Sequence, residues 1–194
     1  KNLRPLAGKP LIAHTIEQAL AARSVDRTYV STDSPDIARV AREFGASVVP
    51  RPASLAGAEA TSESALEHAL GHLRDVNGEE YDILVFLQCT CPLRRPDDID
   101  AAVRKLVTEN ADSLLSVVST RLFTWELREG RPVSTSYDFA NRRRTQEMKP
   151  IYVENGSIYV LRTSVLERFG NRLGGRIVFH EMDRFSLADI DDEA

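Results

Sequence analysis

The chain has 194 residues, 42% of them hydrophobic, enough to bury a core of its own, which excludes a disordered polypeptide. Its 25 basic and 29 acidic residues leave a formal charge of −4, which excludes the basic stripe of a general nucleic-acid binder. No apolar run approaches the ~18 residues of a membrane helix, so neither nucleic acid nor membrane is an expected partner.

In chain order, residues 9–22 carry apolar side chains at Leu11, Ile12, Ile16, Ala19 and Leu20, a helical spacing opened by Pro10. Residues 27–31 read as a short strand. Ser34 offers an N-cap and Pro35 a first helical residue for a helix over 34–44, which Gly45 ends. A strand over 46–49 and an amphipathic helix over 62–73 follow. Residues 82–87 form a nearly continuous apolar run, as in a strand covered on both faces. A helix over 97–107, strands over 113–119 and 157–161, a short helix over 163–169 and a last strand over 176–179 complete the pattern. The alternation predicts a parallel sheet flanked by helices. It breaks at residues 121–150, a polar excursion too long for a simple connection, with Leu122, Phe123, Trp125, Leu127, Tyr137 and Phe139 in need of cover.

The cysteines are Cys89 and Cys91 alone. One intervening residue makes disulfide geometry difficult, and no His cluster accompanies them, so they read as packing residues of a protein in a reducing, cytoplasmic setting. The chain starts at Lys1 and stops at Ala194 as though cut at both ends, so the lack of a visible signal peptide within it is a weak test of targeting.

Ligands of open α/β sheets bind at the carboxyl ends of the strands, and three polar stretches fall there. Gln88 to Arg94 follows the apolar strand and reads either as a ligand loop or as a capped turn. Asp189 and Asp191, two apart, share a face if extended and read either as a Mg²⁺ site or as an acidic helix start. Arg142, Arg143, Arg144 and Gln146 read either as a carboxylate clamp or as a solvated basic loop. His68 and His72 lack the Glu of a metalloprotease motif and read as a helix face.

The order of these stretches resembles the CMP-sialic acid synthetases, or acylneuraminate cytidylyltransferases. The resemblance rests on Leu6-Ala7-Gly8-Lys9-Pro10-Leu11-Ile12, Val30-Ser31-Thr32-Asp33, Arg51-Pro52-Ala53-Ser54-Leu55, LQCTCPLR at residues 87–94, RTQ at 144–146, NGSIY at 155–159 and DID at 189–191. It implies an α/β fold with a Rossmann-like, mainly parallel sheet, helices on both faces and a small dimerisation excursion. The core would comprise residues 1–120 and 151–194, and the excursion residues 121–150. It further implies that Lys1, Asn2, Arg51, Ala60 and Ser62 serve the nucleotide. On the sugar side, Gln88 would contact the sugar, with Thr90 and Arg94 supporting its loop. Arg144 and Gln146 would face the sugar's acidic end or glycerol tail, and Asp189 and Asp191 would ligate Mg²⁺ and act in catalysis. The implied substrates are CTP and an acidic 2-keto-3-deoxy sugar, and the implied assembly is a homodimer. The family's glycine-rich phosphate loop is expected just before Lys1. Cys91 stands where the family often has Ser, and Val153 where some members have Arg. Alternative readings are a sugar nucleotidylyltransferase with another base or sugar, of the KDO or guanylyl type, and a non-catalytic nucleotide-binding protein.

Overall fold

Ala7 (φ 49°) and Gly8 (φ 87°) adopt the left-handed backbone that a two-residue hairpin needs, and so pair β1 (Pro5–Leu6) with β2 (Lys9–Pro10). This hairpin, in a computed structural model describing residues 1–57 and 59–190, leads into α1 (Leu11–Ala21). No side chain caps α1; the N–H groups of Leu11 and Ile12 donate instead to the carbonyls of Arg4 (2.8 Å) and Asn2 (3.0 Å). The parallel pair β3 (Tyr29–Thr32) and β4 (Ser47–Pro50) flanks α2 (Pro35–Glu43), which Ser34 caps by accepting from the Ile37 N–H. Next come α3 (Ser62–His72), β5 (Ile83–Leu87), α4 (Asp98–Thr108) and β6 (Ser113–Thr120). The hairpin β7 (Trp125–Arg128) and β8 (Arg131–Ser134) precedes β9 (Ile151–Arg162), α5 (Thr163–Phe169) and β10 (Ile177–Glu181).

The larger sheet has the order β10-β6-β9-β5. Three of its strands, β5, β6 and β10, point the same way, so the sheet is mainly parallel in direction. The strand over 157–161 differs from the simple βα expectation: it is longer, and it runs antiparallel to both β5 and β6. The reason is its connection. Parallel neighbours need a crossover, usually a helix; residues 121–150 provide none, and the chain instead folds back from Thr120 directly onto Ile151.

Helices cover both faces. On one, Ile99, Ala102 and Leu106 of α4 pack on Leu114, Ile158 and Val160, with Ile83 and Val85 beside them. On the other, Leu84 and Leu161 meet Leu66 and Leu70 of α3 and Val165 and Leu166 of α5. Adjacent residues of β5 therefore serve opposite faces, which explains its unbroken apolar run. Each such Leu, Ile or Val contributes roughly 1.5–3 kcal/mol on burial. No helix among the described residues is long and apolar enough to cross a membrane.

In the excursion, Tyr137 meets Phe123 (centroids 4.7 Å apart) and Trp125 (5.9 Å), and Trp125 meets Phe139 (5.6 Å). The Arg142 guanidinium lies 4.0 Å over Phe123. Yet Trp125 is 48% exposed, Phe139 65% and Leu127 74%.

Candidate active site

The carboxyl end of β5 runs into Gln88-Cys89-Thr90-Cys91-Pro92-Leu93-Arg94. What fixes this loop is Arg94, whose guanidinium turns into the protein and is 8% exposed as a residue. It donates to Thr15 Oγ1 (3.2 Å), Gln18 Oε1 (2.9 Å) and the carbonyls of Gln88 (2.7 Å) and Ser157 (2.8 Å). No carboxylate among the described residues pairs with it, and burial pulls its pKa down to about 10. The side chain thus ties the loop to α1 and to β9, and is spent on that task.

The loop is also held from β9. The register of β6 on β9 slips between Leu115↔Tyr159 and Val117↔Glu154, so Asn155 to Ile158 form a bulge opposite Ser116. Buried Asn155 organises it. Its Oδ1 accepts from the Ser116 hydroxyl (2.6 Å) and the Ser157 N–H (3.2 Å), and its Nδ2 donates to Ser186 Oγ (2.7 Å). The Asn155 carbonyl accepts from the Cys91 thiol (3.2 Å). Gly156 has a φ of +69°, and a Cβ there would stand 2.6 Å from Gln88 Oε1. Gly156→Ala therefore combines left-handed strain with displacement of the Gln88 amide. A loss of roughly 1–3 kcal/mol in a urea melt is expected, with Gln88 driven from its place.

The terminal segment docks on the same loop. The Ile190 N–H donates to the Thr90 carbonyl (2.9 Å), which brings Asp189 beside Cys91. Burial pushes both thiols above their ordinary value, and for Cys91 the Asp189 carboxylate adds to the rise. Both thiols are free, and neither is set up as a thiolate nucleophile. Exposed Asp189 then lines an open cleft of about 440 Å³ with Val153, Glu154, Asn155, Gly156, Tyr159 and Leu187. Asp191 lies outside the described residues.

A second cleft, of about 590 Å³, opens at the start of α3 and is lined by Ala60, Thr61 and Ser64 among others. Thr61 caps α3 by accepting from the Ser64 N–H (3.1 Å), and Ser62 is the first helical residue. Helix starts present N–H groups and positive partial charge to anions. Glu63 of α3 pairs with Arg172 (3.4 Å), which lies 4.6 Å over the ring of Tyr159, a lining residue of the first cleft. Arg51, at the end of β4, donates to the hydroxyl (3.1 Å) and carbonyl (2.6 Å) of Ser31 at the end of β3.

The structure thus gathers Gln88, Thr90, Arg94 and Asp189 around one loop, places Ala60 in the lining of the second cleft, and makes Ser62 the first residue of α3. Asn2 lies under the start of α1, and Lys1 accepts at its carbonyl from the Arg4 N–H (2.9 Å). Arg144 and Gln146 stand exposed on the excursion, and no hydrogen bond among the described residues ties their side chains to the cleft. Glu154 and Tyr159 were not legible as cleft residues. The signal that could have marked them is a Gly inside a strand pattern, the usual sign of a bulge.

The donor chemistry at Asp189 fits Mg²⁺. Among the described residues no group of three or more His, Cys, Asp or Glu could enclose a metal. Mg²⁺ needs no such cage, since one or two carboxylates with waters and substrate phosphates satisfy it, and Asp189 offers a hard oxygen at an open cleft.

The site is thus a polar loop at the carboxyl end of a strand in an open α/β sheet, with an exposed aspartate beside it, in the crevice where such sheets bind their ligands. The chain belongs to the cytidylyltransferase family, whose model matches residues 1–174. It is 34% identical over 195 residues to N-acylneuraminate cytidylyltransferase B of Danio rerio, covering 98% of this chain and 44% of the relative. It is 30% identical over 197 residues to the N-acylneuraminate cytidylyltransferase of Streptococcus agalactiae serotype V, covering 98% and 46%. The chain thus spans less than half the length of these relatives. It is also 29% identical over 199 residues to post-translational flagellin modification protein B of Campylobacter coli, covering 100% and 83%. In fold it matches a CMP:2-keto-3-deoxy-manno-octonic acid synthetase solved with CTP, with a TM-score of 0.63 and 17% identity, covering 94% of this chain and 83% of that one.

Proposed function

We propose that the protein transfers CMP from CTP to an acidic nonulosonic sugar of the sialic acid type and releases pyrophosphate. The observation that carries this reading is the Gln88–Arg94 loop, locked to the β9 bulge with Asp189 beside it, in a chain two of whose named relatives are N-acylneuraminate cytidylyltransferases. The sugar occupies the cleft lined by Glu154, Gly156 and Asp189, near Gln88. The nucleotide lies toward Ala60 and Ser62, with Asn2 and Arg51 at its base. Lys1 belongs to the same nucleotide side.

The sugar's anomeric hydroxyl attacks the α-phosphorus, and the bond to the bridging oxygen of the leaving pyrophosphate breaks. Mg²⁺, held by Asp189 with Asp191, would offset charge on the phosphates. This chain's own contribution is positioning. Arg94 and Asn155 fix the loop and the bulge, so Gln88 meets the sugar from a rigid support, with Thr90 anchoring the segment that carries Asp189. Two free thiols suit a reducing, cytoplasmic setting.

Pyrophosphate release with CTP, GTP, UTP and TTP, each offered an N-acylneuraminate or a 2-keto-3-deoxyoctonic acid, tests the proposal. CTP with the nine-carbon acid should dominate. Preference for another nucleotide would refute it, and preference for the octonic acid would move the protein to the KDO type. Arg51→Ala is expected to raise the KM for CTP about tenfold or more while the sugar KM stays within about twofold, as the loss of one charged hydrogen bond requires. Unaltered CTP kinetics would make Arg51 a clamp on β3 alone.

The excursion supports a two-fold homodimer. Leu122, Trp125, Leu127 and Phe139 stand exposed on the excursion, and apolar side chains left uncovered in this way usually meet a partner. Arg144 and Gln146, on the same excursion, would then complete the sugar site of the neighbouring subunit. Light scattering at low micromolar concentration should give twice the monomer mass. A monomer turning over at full rate would remove both the dimer and the shared site.

A further inference from the structure

Residues five apart in a regular strand point to opposite faces and stand roughly 16 Å from one another. In β9 the pair Glu154 and Tyr159 breaks this rule. The bulge at Asn155 to Ile158 takes up the intervening residues against Ser116, and the Tyr159 hydroxyl donates to Glu154 Oε1. Bulges near active sites re-aim side chains in this way.

The support beneath the pair is firm. Tyr159 is buried, its ring stacks on Phe86 (5.8 Å), and the Arg172 guanidinium covers it. Arg172 is committed to Glu63. Among the described residues, no cation pairs with Glu154 and no further group bonds its second oxygen. A carboxylate thus faces the cleft with one oxygen fixed and its charge unpaired. The incoming acid group and the nucleotide phosphates are anions, and against them such a carboxylate is repulsive. Hydroxyl groups are the part of an acidic sugar that a fixed, unpaired carboxylate suits, since an ionised carboxylate can only accept.

We infer that Glu154, aimed by Tyr159, accepts hydrogen bonds from the hydroxylated tail of the sugar and sets the tail length that the site prefers. This rests on the cleft's being the sugar site proposed above. Tyr159 is a positioning residue here, acting through Glu154.

The test compares full-length wild type with Glu154→Ala and Tyr159→Phe. The substrates are N-acetylneuraminate and its analogue shortened by periodate and borohydride. Wild type should prefer the intact tail. Glu154→Ala should raise the KM for the intact sugar roughly 10- to 100-fold, as loss of a charged hydrogen bond predicts, with the CTP KM unmoved. Its preference between the two sugars should fall towards unity. Tyr159→Phe should act in the same direction and more weakly. Equal loss of kcat/KM for both sugars in Glu154→Ala, or no loss for either, overturns the inference. Calorimetric binding of the two acids separates this from the reaction itself. Discrimination in binding that Glu154→Ala abolishes, without CMP transfer by wild type, would sink only the transfer reaction. Failure of wild type to bind either acid would overturn the tail contact as well.

Discussion

Asp189→Asn is expected to lower turnover by about two to three orders of magnitude at ordinary Mg²⁺ concentration while leaving the fold intact. The side chain is exposed at the cleft, and its segment is held by backbone: Ile190 donates to the Thr90 carbonyl, and Ser186 is fixed by Asn155 and by the Asp183 carbonyl. Asn keeps the size and removes the charge, so thermal unfolding should move by no more than a degree or two for a change that touches no core contact. Raising Mg²⁺ should recover part of the lost rate. Wild-type turnover in the variant, or a large fall in the melting temperature, would remove the metal assignment from Asp189.

Arg94→Ala should have the largest effect on stability, a loss of roughly 3–5 kcal/mol in a urea melt. The substitution strands the carbonyls of Gln88 and Ser157 and the side chain of Gln18, and it opens a cavity between α1 and β9. Arg94→Lys should recover little, because one ammonium cannot reach all four acceptors that the planar fork meets. In either variant the Gln88 carbonyl loses its anchor, so sugar affinity should fall along with stability. A stable Arg94→Ala protein with normal sugar kinetics would show that the loop holds itself.

The polar string Gln88 to Arg94 was legible as a loop at a strand end, because the apolar run before it has only one sensible reading. That Arg94 supports this loop was implied by the resemblance alone; the residues themselves did not show its inward turn. A guanidinium offered to a ligand and one satisfied by buried carbonyls have the same sequence, and the acceptors lie in α1 and β9, distant along the chain. Similarly, Ser34 followed by Pro35 marks the start of α2 by local chemistry alone, whereas no local signal gives the direction of β9. Its apolar pattern suits a central strand of either sense, and only the absence of a crossover helix between Thr120 and Ile151 decides. Asp189 was readable as an acidic residue, but its place beside Cys91 depends on the docking of Ile190 on Thr90. The contacts of Asn155 explain why an Asn-Gly pair sits inside a strand: the amide links β6, β9 and the turn that leads to Asp189.

The order β10-β6-β9-β5 has a consequence for how the protein is made. Of the two inner strands, β9 is the second and the next to last strand of the sheet to leave the ribosome, and Ile83 must wait for Arg162 before it gains its partner. Until then β5 and β6 are both edges, apolar and unpaired, and such edges invite association between nascent chains. Ring closure over so long a stretch is slow to begin, because its entropic cost comes before any ladder forms. A chaperone that shelters residues 83–120 during synthesis should therefore raise the soluble yield more than one acting after release.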